Sequence, residues 1–156
     1  GMINSYSQKK NMKESDFTSV TVIEIDNFSK SNHAYTQEFT NHILKKVAFT
    51  ISLHEQSADV IARIDYSQFA IILSRRTKEM SFKDVDIIRQ SIAEIKFKST
   101  TTGSVVVTVS GGYVIKPNNT TLDESMKDAK KVLEHAKSHG GDKISQIRDL
   151  QVSECE

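Results

Sequence analysis

The chain has 156 residues, of which 37% are hydrophobic and 26% are charged, so it can bury one core but is short for two domains. Its formal net charge of +1, without a basic stripe interleaved with aromatic residues, excludes the usual footprint of nucleic-acid binding. The single cysteine, Cys155, excludes an intrachain disulfide, and no apolar run approaches the roughly 18 residues that a membrane span needs. We therefore expect a soluble, cytoplasmic domain with no nucleic-acid or membrane partner.

The first half of the chain predicts an arm followed by four elements. Residues 1–18 are polar and lack periodicity, so we expect a disordered arm or the end of a linker. The β-branched, apolar run at 20–26 predicts a central buried strand whose acidic end opens onto a site. Apolar residues then recur at helical spacing over about 34–53. Apolar runs at 58–64 and 68–74 predict two strands that pair as a hairpin.

A second helix is predicted over about 82–96, since apolar residues there fall on one stripe. Ser81 and Asp84 resemble its start. The polar segment at 98–104 is expected to be a loop.

A long strand is predicted at 105–115, and its glycine pair at 111–112 indicates a bulge or a close approach of another backbone. Thr121 and Glu124 form a capping box ahead of a third amphipathic helix. Gly140 is positioned to end that helix as a C-terminal cap.

A last short strand at 142–147 completes the order strand, helix, strand, strand, helix, strand, helix, strand. This order contains βαβ units around a hairpin, which predicts an α/β (α+β) fold with ferredoxin-like wiring. We expect a mixed sheet of about five strands with helices on one main face. The domain is predicted to span 19–149 and to end in a tail at 150–156.

Four stretches carry motifs in order, namely VIEIDNFSKSN (22–32), ADVIARIDYSQFAIIL (58–73), VTVSGGYV (107–114) and DAKKVLEHAKSHGGDKI (128–144). They are similar to DIDxFKxIND, DxxARYGGDEFAIIL, VTxSxGxA and ADxALYxAKxxGRNxV of the GGDEF domain family, the bacterial diguanylate cyclases that join two GTP into cyclic di-GMP. The resemblance covers about 20–147 and implies a nucleotidyl-cyclase-like sandwich.

The second stretch corresponds to the family's signature turn. Residues 63–69 match RYGGDEF, and the resemblance implies that the third signature residue is an acidic metal ligand. It also implies that the two glycines let the backbone approach the GTP phosphates. The neutral Ser67 and the bulky Tyr66 are therefore expected to disable this turn. The degenerate signature consists of Asp65, Tyr66, Ser67, Gln68 and Phe69.

Attack of a ribose hydroxyl on an α-phosphate builds charge on oxygens, which paired Mg²⁺ ions held by carboxylates offset. Glu24 stands at the family's first-strand metal aspartate and keeps the charge, so we expect at most weak metal binding there. Otherwise Glu24 and Asp26 are interpreted as solvated turn carboxylates. No catalytic residue is predicted, because Ser67 replaces the other acidic metal ligand. Losing one such charge slows chemistry by at least about 10²–10³-fold.

Three residues match nucleotide contacts of the family and are interpreted as vestigial. Asn32 keeps the asparagine that contacts guanine. Asn41 replaces an aspartate that reads guanine N–H groups, which halves the acceptors. Lys137 matches a lysine that contacts phosphate, although a lysine near a helix C-terminus is also favoured by the macrodipole. The inhibitory product site, RxxD in the family, reads QSAD at 56–59, so product feedback is expected to be absent.

His135 and His139 are spaced i, i+4 on the third predicted helix, which is a zinc-binding spacing. The sequence offers no third ligand nearby, so we interpret them as exposed histidines at a helix end.

The leading hypothesis is a catalytically inactive, degenerate GGDEF-like domain that acts as a signalling or protein-interaction module. Its partner is expected to be another protein or a sensory or receiver domain of a parent chain, with a homodimer as a further option. One alternative is a non-catalytic GTP or cyclic di-GMP sensor, and a second is a weakly active nucleotidyl cyclase. No cofactor is expected, and Mg²⁺ enters only with residual nucleotide binding.

Overall fold

Strands and helices follow one another along the chain much as the apolar patterns predict. A computed structural model describes residues 16–28, 35–100 and 103–155. Its strands are β1 (Phe17–Ile25), β2 (Val60–Asp65), β3 (Gln68–Arg75), β4 (Phe97–Ser99), β5 (Gly103–Val105), β6 (Val109–Ile115) and β7 (Ile144–Gln146). Its helices are α1 (Gln37–Ser52), α2 (Lys78–Ala93), α3 (Leu122–Ser138) and α4 (Ile147–Cys155).

Five strands form one mixed sheet in the order β2-β3-β1-β6-β7, which confirms the predicted α+β fold with a mixed sheet of about five strands. The central strand β1 runs antiparallel to both β3 and β6, whereas β6 and β7 are parallel. Glu24 near the end of β1 pairs with Gln68 at the start of β3. The register therefore places the acidic end of β1 beside the β2–β3 turn.

Helices cover both faces of the sheet, so the prediction of helices on one main face is wrong. Ile23 and Ile71 pack in one core with α1 and α2, while Val22 and Ile72 pack in a second core with α3. The physical reason lies in β1 and β3, whose residues are buried at successive positions rather than at alternate ones. A strand of this kind buries both of its faces.

Helix α2 begins four residues earlier than predicted, because Thr77 is its N-cap and accepts a hydrogen bond from the Met80 N–H at 3.0 Å. Ser81, which resembles a helix start in the sequence, is instead buried inside α2. Its hydroxyl donates to the Ser19 Oγ atom at 2.6 Å. Asp84 likewise does not cap the helix, and its carboxylate accepts a hydrogen bond from Arg75 Nε at 2.7 Å.

The capping box of α3 is confirmed at its N-terminus. The Thr121 hydroxyl accepts from the Glu124 N–H at 3.2 Å, and the Glu124 carboxylate accepts from the Thr121 N–H at 3.3 Å. Gly140 follows the helix with φ +103°, and the Gly141 N–H donates to the Ala136 carbonyl at 3.0 Å. This is the hydrogen bond of a Schellman motif, so the predicted glycine cap is also confirmed.

The segment 98–104 is not a plain loop, because β4 and β5 pair there as an antiparallel two-stranded sheet. Phe97 pairs with Val105 and is buried, which anchors one end of the hairpin in the core. Gly103 has φ +77°, a conformation that glycine adopts without strain. The main-sheet strand that follows consequently starts at Val109 rather than at 105.

The glycine pair of β6 marks a close approach and not a bulge. The pairing of β6 with β1 is uninterrupted from Ile115 to Val109, so no extra residue is inserted. A Cβ atom added to Gly112 would lie 2.1 Å from the Ala129 carbonyl oxygen. Glycine is therefore needed for α3 to lie directly on the sheet.

Both ends of the described domain extend slightly beyond the predicted elements. β1 begins at Phe17 rather than at 20, and α4 covers most of the segment expected to be a tail. The Asp149 carboxylate accepts from the Gln146 N–H at 2.7 Å, which caps the start of α4. Within the three described ranges, no helix combines the length and the apolarity that crossing a bilayer requires.

Candidate functional site at the β2–β3 turn

The turn between β2 and β3 is built without glycine. Positive φ angles are absent from its residues, and the strand register shifts between Arg63 and Asp65, which marks a bulge that absorbs the bend. The Asp65 carboxylate accepts from the Tyr66 N–H at 2.7 Å, and Arg63 Nε donates to the Tyr66 carbonyl at 3.1 Å. Side-chain hydrogen bonds thus stabilise a turn that would otherwise favour glycine.

Tyr66 projects from this turn with 43% of its surface exposed. Its ring centroid lies 5.8 Å from that of Phe28, and the Arg63 guanidinium carbon lies 5.5 Å from the Tyr66 ring centroid. The arginine therefore makes a cation–π contact with the tyrosine. A large, partly fixed aromatic ring stands at the tip of the hairpin.

Glu24 lies at the centre of a small polar cluster, and both of its carboxylate oxygens accept nitrogen donors. Gln68 Nε2 donates to Oε1 at 2.8 Å, and Lys137 Nζ lies 2.8 Å from Oε2. The hydrogen bond to Glu24 raises the pKa of Lys137, which keeps the ammonium charged. The negative charge of Glu24 is therefore balanced within the chain.

Three elements bring this Glu24 cluster together: β1 supplies Glu24, β3 supplies Gln68 and the last turn of α3 supplies Lys137. Lys137 also contacts Glu134, one helical turn earlier, at 3.4 Å. Each of the three residues that form the Glu24 cluster matches a family position in the sequence. Their contacts with one another leave no signal in the sequence, because the residues are far apart in the chain.

Ser67 contributes no charge to the Glu24 cluster. Its carbonyl oxygen accepts from the Ile25 N–H at 3.1 Å, which ties the turn to the end of β1. Among the residues that the structure describes, no group of three or more His, Cys, Asp or Glu side chains is arranged to hold a metal ion. Mg²⁺ prefers several carboxylate and water oxygens in octahedral geometry, and the Glu24 cluster offers one carboxylate already bonded to nitrogen donors.

Asp26 is not a solvated carboxylate, contrary to the interpretation from the sequence. Its side chain accepts from the Thr108 hydroxyl at 2.7 Å, the Ser110 hydroxyl at 2.6 Å and the Asp142 N–H at 2.9 Å. It therefore joins β1 to the segment before β6 and to the loop after α3. No sequence signal identified this structural role, since its partners are distant in the chain.

Asn41 lies on α1 and accepts a hydrogen bond from the Gln37 side chain at 3.0 Å. It borders a cavity of about 310 Å³ between α1 and the β2–β3 hairpin, next to the signature turn. Phe69 is buried and contributes to the cavity wall. Asn32 lies outside the described residues. The lining consists of Asn41, Leu44, Lys45, Ala48, Ile61, Ala62, Arg63 and Phe69.

Asp59, the acid retained from the RxxD pattern, is committed to an ion pair in the interior. Arg75 donates to both of its oxygens, at 2.8 and 2.9 Å, and the two side chains are 4% and 0% exposed. The Asp84 carboxylate binds Nε of the same guanidinium at 2.7 Å. This buried carboxylate is unavailable to a ligand at the surface.

Comparison with known families assigns the chain. The family model described as "Diguanylate cyclase, GGDEF domain" matches residues 2–143. The chain belongs to the GGDEF domain family. The predicted resemblance is thereby confirmed.

Individual relatives are distant. Diguanylate cyclase DosC of Escherichia coli strain K12 is 21% identical over 126 residues, which are 81% of this chain. The chain spans only 27% of the length of DosC.

Solved structures with the same fold include the GGDEF domain of DgcB from Caulobacter crescentus in complex with c-di-GMP. It superposes with a TM-score of 0.80 at 18% identity, and the match covers 93% of this chain and 85% of the DgcB domain in that structure. Diguanylate cyclase SiaD from Pseudomonas aeruginosa, in complex with its activator SiaC, gives a TM-score of 0.82 at 16% identity over 92% of this chain and 56% of SiaD. At sequence identities of 16–18%, the structural similarity shows the fold alone.

Proposed function

We propose that this chain is a catalytically inactive GGDEF domain that acts as a signalling or protein-interaction module. The observation that carries the proposal is the Glu24 carboxylate, whose two oxygens accept nitrogen donors from Lys137 and Gln68. A metal ion at Glu24 would compete with the Lys137 ammonium for the carboxylate. Ser67 supplies no second carboxylate with which to hold that ion.

The chemistry explains why this arrangement matters. Nucleotidyl transfer is catalysed largely by metal ions and dipoles that offset charge on phosphate oxygens. Removal of one such preorganised charge slows an enzyme by about 10²–10³-fold. The Tyr66 ring adds a steric obstacle at the turn. No cofactor is part of the proposal, and Mg²⁺ would enter only together with a bound nucleotide.

A protein partner is supported by analogy. The SiaD structure contains an activator protein, SiaC, which is a property of that protein. This chain spans a minor part of its curated relatives, as the 27% coverage of DosC illustrates. We therefore propose that the domain relays a signal to a protein partner or to a sensory or receiver domain of a longer chain.

The test is incubation of the purified protein with GTP and Mg²⁺ or Mn²⁺, followed by chromatographic detection of cyclic di-GMP. The wild type is expected to form no product above a blank. A matched variant restores the family signature with Asp65→Gly, Tyr66→Gly, Ser67→Asp and Gln68→Glu. Product from the wild type that Glu24→Gln abolishes would overturn the proposal and establish the weakly active cyclase instead.

A second candidate, a non-catalytic sensor of GTP or cyclic di-GMP, is favoured by the cavity of about 310 Å³ beside Asn41. Lys137 would have to exchange Glu24 for a phosphate group. A rise in melting temperature with GTP that disappears in Lys137→Ala would support this candidate. No shift at millimolar GTP or cyclic di-GMP would remove it.

A further inference from the structure

The cavity between α1 and the β2–β3 hairpin lies against a strand at the edge of the sheet, and we call it the α1–β2 groove. Its lining includes the apolar side chains of Ala48 on α1 and of Ile61 and Ala62 on β2. Strand β2 stands first in the order of the described sheet, so it pairs with β3 on one side only. Such an edge carries a row of backbone N–H and C=O groups that can pair with another chain.

The edge of β2 is regular where it borders the groove. Residues 60–63 pair with β3 without a shift in register, and the bulge comes only after Arg63. Ile61 and Arg63 are two positions apart, so their side chains lie on the same face of the sheet, and both line the groove. A strand added at this edge would therefore present every second side chain to the groove.

The charged residues that line the groove are all cations. Lys45 of α1 and Arg63 of β2 contribute ammonium and guanidinium groups, and the lining contains no aspartate or glutamate among the described residues. Within the same ranges, neither cation forms an ion pair with a carboxylate. Arg63 donates instead to the backbone carbonyls of Asp65 and Tyr66. Charge complementarity consequently favours an acidic ligand.

Apolar surface continues from the groove along α1. Phe49 follows Lys45 by four residues, which places the two side chains on one face of the helix. Phe49 is 54% exposed, and Leu53, four residues further on at the end of α1, is 65% exposed. Exposed apolar side chains next to an apolar groove are typical of a surface that contacts another protein.

We propose that the α1–β2 groove binds an extended acidic segment of a partner protein, which adds a strand to the sheet at β2. The backbone of this segment pairs with the edge of β2. An apolar side chain packs on Ala48 and Ile61, and a carboxylate two positions away binds Lys45 and Arg63. In strand addition, main-chain hydrogen bonds give affinity and the side-chain pockets give specificity.

This inference rests on the proposed interaction-module function and names the chemistry of the partner. It assigns a peptide segment, rather than a nucleotide, to the cavity beside Asn41. The cyclase assay and the binding experiment fail separately. Formation of cyclic di-GMP would overturn the inactive assignment, whereas loss of peptide binding would overturn only the role of the groove.

The experiment is a selection of phage-displayed random dodecapeptides on the whole immobilised chain, followed by affinity measurements with the enriched peptides in synthetic form. Peptides that combine acidic with β-branched residues should be enriched. Lys45→Glu should weaken their binding by at least about tenfold, because it brings like charges together. Lys127→Glu makes the same change in net charge at an exposed position of α3 and should bind like the wild type.

A second measurement tests the mode of binding. Amides of β2 that point away from β3 should exchange their hydrogen at least about tenfold more slowly when a selected peptide is bound. Lys45 is exposed, so Lys45→Glu is expected to fold, and its melting temperature checks this. Absence of enriched peptides, equal affinity in Lys45→Glu and the wild type, or unchanged exchange along β2 would overturn the proposal.

Discussion

Lys137 Nζ lies 2.8 Å from Glu24 Oε2 and joins the last turn of α3 to the end of β1. The side-chain amide of Gln68 donates a hydrogen bond to the other carboxylate oxygen, Oε1, at 2.8 Å. Glu24 is therefore a structural ion-pair partner in this chain. Catalysis by metal ions would need the Glu24 carboxylate to bind a metal ion in place of the Lys137 ammonium group.

Lys137→Ala should cost little stability. The lysine is 36% exposed and Glu24 is 20% exposed, so solvent screens the ion pair, and the expected loss is below about 1 kcal/mol. Urea denaturation measures the change, with Lys127→Ala on the exposed side of the same helix as the control for helix propensity. A loss above about 2 kcal/mol in Lys137→Ala alone would contradict the account.

Asp59→Ala should be far more destabilising, because it leaves the buried guanidinium of Arg75 without its bidentate partner. Breaking a buried pair in this way typically costs about 3–5 kcal/mol. Asp84→Ala is the matched control, since Asp84 contacts the same guanidinium but is more exposed, and its loss should be smaller. The order of the two denaturation midpoints decides the prediction, and the reverse order would contradict it.

Gly112→Ala should destabilise the fold by at least about 2 kcal/mol, because the new methyl group would meet the backbone of α3 at Ala129 and Leu133. Gly111→Ala is a neighbouring control. Its methyl group would meet the end of the Ile144 side chain, which can move, so its effect should be smaller. Thermal unfolding of both variants tests the comparison, and equal losses would be inconsistent with close packing of α3 at Gly112.

Stability should fall as the pH falls below about 6.5, in part because of His135. Burial lowers the pKa of His135 in the folded protein, so the unfolded chain binds more protons between the folded pKa and the unfolded value of about 6.5. Stability is therefore lost as the pH decreases through that window. His135→Gln should show a shallower pH dependence in urea unfolding between pH 7.5 and 5, and an unchanged slope would refute this assignment.

Local signals account for what the sequence predicted correctly. The capping box of Thr121 and Glu124 lies within one helical turn, and Gly140 directly follows the helix that it ends. The start of α2 differs from the predicted one because Ser81 and Asp84 resemble a helix start, whereas Thr77 is the N-cap. The continuous apolar run FAIIL in β3 is already a signal for helices on both faces of the sheet.

The candidate site was predictable residue by residue but not as an arrangement. Glu24, Gln68 and Lys137 could each be matched to family positions. Their mutual hydrogen bonds depend on strand register and on the placement of α3 against the sheet. The hydrogen-bond partners of Asp26 and Asp59 are not predictable for the same reason, since contacts between distant segments leave no local pattern.

The most direct test of the central claim is Mn²⁺ EPR in the presence of GTP, comparing the wild type with Glu24→Gln. The substitution keeps the shape of the side chain and removes the charge that a metal ion would need. If Glu24 serves only as the ion-pair partner of Lys137, the two proteins will give the same Mn²⁺ signal at every concentration of GTP. A bound Mn²⁺ ion that appears with the wild type and is lost in Glu24→Gln would contradict the account.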